Sequence, residues 1–133
     1  MAFKKRVLII DDEADFCFFV SKNLENTGEF EVLTANSAED GIKLARQSLP
    51  DIILLDIIMP KMQGPDVAKA LANDPETRYI PLIFLTAIVM ENEIGNLSIK
   101  EIGGYNFIAK PANTEKLIQS IKMVLRDFSK TTT

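Results

Sequence analysis

A parallel β-sheet covered by helices on both faces is the fold class this sequence predicts, and three observations predict it. Five short, β-branched apolar runs recur along the chain, and stretches of helical periodicity separate them. The chain has 133 residues, 47% of them hydrophobic, which is the size of one compact domain with a real core. Strand followed by helix, repeated, requires parallel strands whose crossovers lie on both sides of the sheet.

The strands are expected at "RVLII" (6–10), "FEVLTA" (30–35), "DIILL" (51–55), "PLIFLT" (81–86) and "YNFIA" (105–109). Phe16, Phe19, Val20 and Leu24 set a helical period that stops before Gly28. Ala38, Ile42, Ala45 and Leu49 set a second after the N-cap Ser37. Val67, Ala70 and Leu71 follow Pro65, and Leu117, Ile118, Ile121, Val124, Leu125 and Phe128 follow the N-cap Asn113. A further helix is expected over 88–103, weakened by Gly95, Asn96 and β-branched Ile99. The terminal "SKTTT" is expected to fray.

Composition removes several function classes. The longest apolar runs stop at Asp or Pro well short of the ~20 residues a bilayer requires. "MAFKKRVLII" enters Asp11 and Asp12 without a small-residue cleavage site, so a soluble cytoplasmic chain with no membrane contact is expected. The absence of histidine excludes imidazole catalysis and His-containing metal sites, and a net charge of -4 argues against direct nucleic-acid contact by this domain. Cys17 has no partner for an internal disulfide and, among Phe16, Phe18 and Phe19, reads as a small buried hydrophobe.

In such a sheet the ligand site lies beyond the carboxyl ends of the strands. The first strand ends in Asp11, Asp12 and Glu13, the third in Asp56, the fourth in Thr86 and the fifth in Lys110, followed by Pro111; all fall at that edge. Each has a plain structural explanation alone, as a cap, a loop start or a surface lysine, but their convergence does not. Two like charges ~4 Å apart repel by about 4 kcal/mol at an effective dielectric near 20, so three gathered carboxylates call for a cation. Hard oxygen ligands without His or thiolate select Mg2+, with Mn2+ or Ca2+ as the other hard candidates, over zinc. Added to the Lys110 ammonium and the Thr86 hydroxyl, this is a set suited to phosphoryl transfer. Asp56, alone on the central strand facing the acid pair, is the candidate nucleophile.

"LIIDDE" (8–13), "DIILLDIIMPKMQG" (51–64), "PLIFLTA" (81–87) and "FIAKP" (107–111) are weak or moderate signals singly and highly specific in this order and spacing. Together they resemble the receiver domains of two-component response regulators, over about residues 4–128, with 129–133 left as a tail. The resemblance implies a flavodoxin-like, doubly wound, five-stranded parallel sheet of order 2-1-3-4-5 with five helices. It implies Mg2+ held by Asp11, Asp12, Asp56 and the backbone carbonyl of Ile58. Phosphate contacts would come from Thr86, Ala87 and Lys110, and Asp56 would be phosphorylated by a histidine kinase or histidine phosphotransfer protein. Such a domain is a signalling phosphoacceptor rather than an enzyme. It would pass its state to a downstream protein or output domain, and a phosphorylation-linked dimer is compatible with it.

By the same resemblance, Thr86 and Phe107 match the switch pair of the family, a hydroxyl that moves toward the phosphoryl group and an aromatic that turns inward behind it. Phe107 as a plain core residue in both states is the alternative. Ile58 and Ile88 match the positions that flank the path of the hydrolytic water and tune the lifetime of the phosphoryl group. The spacing from Thr86 to Lys110 is longer than the family pattern, so the partner-docking surface is expected to be reshaped there. A haloacid-dehalogenase-type phosphatase would need a second acid at position 58, which is Ile, and a flavin carrier would need a Ser/Thr/Gly-rich loop where "DDEADF" stands. A degenerate receiver that docks partners without phosphorylation is the remaining alternative, although such domains lose an acid or the lysine and this chain keeps them all.

Overall fold

A computed structural model describes residues 3–87, 100–102, 105–110 and 113–132. The chain runs β1 (Lys5–Ile10), α1 (Ala14–Glu25), β2 (Phe30–Ala35), α2 (Ala38–Ser48), β3 (Ile52–Asp56), α3 (Gly64–Ala72), β4 (Leu82–Thr86), β5 (Lys100–Ile102), β6 (Tyr105–Ala109) and α4 (Thr114–Thr132). The sheet order is β2-β1-β3-β4-β6-β5. Strands β2, β1, β3, β4 and β6 are mutually parallel and are the five expected ones in the order 2-1-3-4-5.

The alternation of side chains along each strand divides the core in two. Val7, Ile9, Ile52, Leu54, Ile83 and Leu85 face α1 and α4, packing on Cys17, Val20, Leu24, Leu117 and Ile121. Leu8, Ile10, Ile53, Leu55, Phe84 and Phe107 face the other way, onto Ala38, Ala45, Val67, Ala68 and Leu71. Each fully buried Leu or Ile contributes about 1.5–3 kcal/mol, so the central strand β3, buried at every residue, is anchored from both faces of the sheet. The helix starts follow the sequence. Ser37 Oγ accepts from Asp40 N at 3.1 Å, Asn113 Oδ1 accepts from Lys116 N at 3.2 Å, and Pro65 sits in the first turn of α3.

Three expectations are corrected. Lys100–Ile102 form an antiparallel strand against β6, with Lys100 opposite Phe107 and Ile102 opposite Tyr105, where the end of a helix was expected. β-Branched Ile102 beside two glycines suits an edge strand better than a helix end. The rest of that helix, 88–99, lies outside the described residues. Phe19, expected on the buried face of α1, is 60% exposed because Cys17 with Val20 and Leu24 takes the inward stripe. Leu49, expected to continue the buried face of α2, ends the helix instead in the left-handed region at φ 46° and is exposed, since Pro50 bars its continuation. The last helix is described through Thr132, into the segment set aside as a tail. Among the described residues no helix is long and apolar enough to cross a membrane.

Lys61, in the loop from β3 to α3, is a second non-glycine residue in the left-handed region, at φ 70°, and its side chain is exposed. Left-handed backbone costs a residue with a Cβ about 1–2 kcal/mol. Lys61→Gly is therefore expected to raise unfolding stability by about 0.5–1 kcal/mol in denaturant melts, after the entropy of the freer unfolded chain is set against the relief. A loss of stability in that variant would contradict the strained assignment.

Candidate functional site

Backbone register places the polar residues before any side-chain chemistry acts. Ile10 pairs with Leu55, so Asp11 and Asp56 fall level at the carboxyl edge of adjacent strands. Asp56 itself pairs with Leu85, one residue short of Thr86, and Thr86 pairs with Ala109, one residue short of Lys110. Lys110 N donates to the Thr86 carbonyl at 2.8 Å, which extends that ladder one step past the strand.

The backbone under the acids is held tightly. Asp11 N donates to the Ala35 carbonyl at 3.0 Å, and the Asp11 carbonyl accepts from Asn36 Nδ2 at 3.0 Å and from Cys17 Sγ at 3.4 Å. Cys17 is buried, and its thiol is pushed up to about 12 by burial first and by the nearby Asp11 charge second, which makes it a structural donor and not a nucleophile. On the other side, Gly64 N donates to the Ile57 carbonyl at 2.7 Å. A Cβ on Gly64 would lie 2.4 Å from the Asp56 carbonyl oxygen and 2.8 Å from Ile57 Cα, so only glycine lets α3 close against the backbone that carries Asp56.

On this frame one carboxylate oxygen each from Asp11, Asp12 and Asp56 lies within 4.8 Å of the others. Asp11 and Asp56 are buried and Asp12 is exposed, so the cluster opens outward through Asp12. Lys110 Nζ is 2.9 Å from Asp11 Oδ2, 2.5 Å from Glu13 Oε1 and 4.0 Å from Asp56 Oδ1. Burial pulls the Lys110 pKa down, but the hydrogen bonds to Glu13 and Asp11 outweigh it and leave the ammonium above its ordinary value. The second oxygen of Asp11 accepts from Glu13 N at 2.9 Å. Among the described residues one ammonium thus faces Asp11, Glu13 and Asp56 while Asp12 adds a further negative charge, and the imbalance collects on Asp56. Its pKa rises from 3.8 to about 7, by burial first and the Asp11 charge second, with Lys110 opposing and Asp12 adding to the rise. An all-oxygen cluster with excess negative charge and one open side fits a hard divalent cation such as Mg2+, which keeps several waters when it binds.

The other site residues are partly described. Thr86 is buried beside the cluster and Ala87 after it is exposed. Ile58 is 49% exposed just past the end of β3. Phe107 is buried in the core, directly across from Phe84. Ile88 and Pro111 lie outside the described residues. Asn36, Cys17 and Gly64, which fix the backbone, and Glu13 as a partner of Lys110 take site roles that the sequence motifs do not mark. Asn36 follows the second strand as the acids follow the first, the one signal that could have found it.

Comparison with known proteins agrees with the geometry. The family described as response regulator receiver domain matches residues 7–122. The protein PilH of Pseudomonas aeruginosa is 36% identical over 90% of this chain and 97% of its own length. The polar-differentiation response regulator DivK of Brucella ovis is 34% identical over 92% of this chain and 98% of its own. The alkaline phosphatase synthesis transcriptional regulatory protein PhoP of Bacillus subtilis is 31% identical over 92% of this chain, which spans only 49% of that longer protein. Among solved structures, a response regulator from Desulfuromonas acetoxidans superposes with a TM-score of 0.77 at 29% identity, over 92% of this chain and 97% of that one.

The charge imbalance has a measurable consequence in the absence of divalent cations. Because the folded-state pKa of Asp56 lies above its unfolded value, the folded state holds more protons as pH rises from 3.8 toward about 7, and this group's contribution to stability falls over that window. Asp56→Asn removes the titration. Its stability relative to the unaltered chain should grow as pH rises through the same window in chelator and then level off. A constant difference across the range, measured by denaturant melts, would contradict the crowded-carboxylate account.

Proposed function

Because this chain belongs to the family of response regulator receiver domains, we propose that it accepts a phosphoryl group on Asp56 and uses the modified site to reset a partner-binding surface. Receivers are signalling modules of two-component pathways, not classical enzymes. The donor is a histidine kinase or a histidine phosphotransfer protein, and the readout is a downstream protein or an output domain. The observation that carries the reading is the cluster itself: Asp11, Asp12 and Asp56 within 4.8 Å, with the Lys110 ammonium 4.0 Å from Asp56 Oδ1.

In the transfer an Asp56 carboxylate oxygen attacks phosphorus in line with the phosphohistidine P–N bond. The O–P bond forms as the P–N bond breaks, and the imidazole leaves with the electron pair and takes up a proton. Lys110, the Thr86 hydroxyl and the Ala87 N–H receive the equatorial oxygens, on which charge is spread in the transition state. Asp11, Asp12, Asp56 and the Ile58 carbonyl are the groups that would hold Mg2+, which when bound supplies the positive charge that lets an anionic donor approach an acidic site. The burial of β3 on both faces and the close approach of Gly64 hold the backbone of Asp56, so its carboxylate is presented in a fixed place for attack. Phosphorylation draws the Thr86 hydroxyl toward the new oxygens, and the space it leaves favours the inward Phe107. Phe lacks the hydroxyl that would reward an outward position, so little is lost by keeping it buried.

Incubation with Mg2+ and acetyl phosphate should add one acid-labile phosphoryl group per chain, mapped to Asp56 by mass spectrometry. Asp56→Asn should abolish the labelling and keep the fold. Full labelling of that variant would sink the assignment. The lifetime of the group is the second expectation. Neither Ile58 nor Ile88, the residues at the two positions that tune lifetime in the family, can hydrogen-bond or orient an attacking water, so self-dephosphorylation should be slow. Ile58→Asn and Ile88→Glu should each speed loss of the group by about tenfold, for ~1.4 kcal/mol of barrier apiece. Decay of the unaltered protein as fast as the double variant under the same Mg2+ and pH would overturn that expectation.

A further inference from the structure

Lys110 is held on three sides, and one of the three holders is apolar. Its Nζ lies 4.4 Å from the centroid of the Phe16 ring, besides the contacts at 2.9 Å to Asp11 and 2.5 Å to Glu13. Phe16 belongs to the first turn of α1, where side chains tilt back toward the helix N-terminus, and hence toward the carboxyl edge of the sheet. It is only partly buried, packed against the rim of the core, so its ring is placed to serve both the core and the site. A lysine is a point charge on a flexible four-carbon stem, and two carboxylate contacts alone leave the stem free to swing. An aromatic face beneath the ammonium removes that freedom and attracts the charge, the more so because the Lys110 side chain is 8% exposed and little water competes.

We propose that Phe16 is a positioning residue for phosphoryl transfer: its ring seats the Lys110 ammonium between Asp11 and Glu13, with Asp56 as the next anion within reach. This rests on the reading of Asp56 as the acceptor. The rival role for Phe16 is core filling, and volume and ring character separate the two. Phe16→Leu keeps an apolar side chain but loses the ring face, whereas Phe16→Tyr keeps the face.

Two measurements on the whole chain test the seat. In denaturant melts, a double-mutant cycle of Phe16→Leu with Lys110→Met should show coupling, the Leu substitution costing less once the ammonium is gone. In Mg2+ and acetyl phosphate, Phe16→Leu should slow the labelling of Asp56 by about three- to tenfold, and Phe16→Tyr should label within about twofold of the unaltered chain. Additive stabilities would show that Phe16 only fills space and would overturn the seat. Coupled stabilities with unchanged labelling in Phe16→Leu would overturn its positioning role. A coupled cycle in a protein that takes no label at Asp56 under any of these conditions would instead overturn the acceptor reading and take the positioning role with it, leaving only the contact.

Discussion

Like-charge crowding at the carboxyl edge of the sheet is the constraint on which the rest of the structure depends. Asp11 and Asp56 are buried, level with each other on adjacent parallel strands, and Asp12 completes the cluster on its exposed, open side. Carboxylates at this spacing repel by several kcal/mol at a protein-like dielectric, and one ammonium does not neutralise them. The fold holds the two buried ones in place from behind. Asp11 is pinned by Ala35, Asn36 and Cys17, and Asp56 ends a strand with no exposed residue against which Gly64 closes. A buried acid this crowded is poised for one of two reliefs: a proton, as the Asp56 pKa of about 7 reflects, or a cation.

That choice links folding to chemistry. On the proposed phosphoacceptor reading, a proton on Asp56 would leave no nucleophile, whereas a hard cation would restore the carboxylate and admit the anionic donor. The two-sided core serves the same end. By filling both faces of β3 with branched side chains, the sequence anchors the backbone that carries the buried Asp56, while the exposed Asp12 beside it gives the cluster its open side. Stability is given up locally, at four crowded carboxylates, and restored by the hydrophobic clusters on either face.

Much of this was legible in the chain. Short β-branched apolar runs interleaved with stretches of helical period marked the five parallel strands, their order came only from the family resemblance, and caps such as Ser37 and Asn113 marked helix starts that the structure keeps. The acids, Thr86 and Lys110 could be placed on one edge because parallel strands all end there. What was not legible depended on distances across the fold. Nothing local to Gly64 shows that a Cβ would meet the Asp56 carbonyl, and nothing local to Asn36 shows that it reaches Asp11. Phe19 was misplaced because α1 offers five consecutive residues, Asp15 to Phe19, of which four are apolar, and small Cys17 takes the inward position. Lys100–Ile102 was read with a weak helix because an antiparallel edge strand is specified by its partner more than by its own three residues.

The central claim is that the crowded carboxylates form a site for one hard cation. Titration of Mg2+ into the intact chain at pH 8, followed by calorimetry and by thermal melts, tests it most directly. The account predicts a single Mg2+ per chain and a melting temperature that climbs with its concentration as mass action requires, while Asp11→Asn lowers the affinity by tenfold or more. Millimolar Mg2+ that leaves the melt unchanged and gives no binding heat at any temperature tried, in a protein shown to be folded, would contradict it.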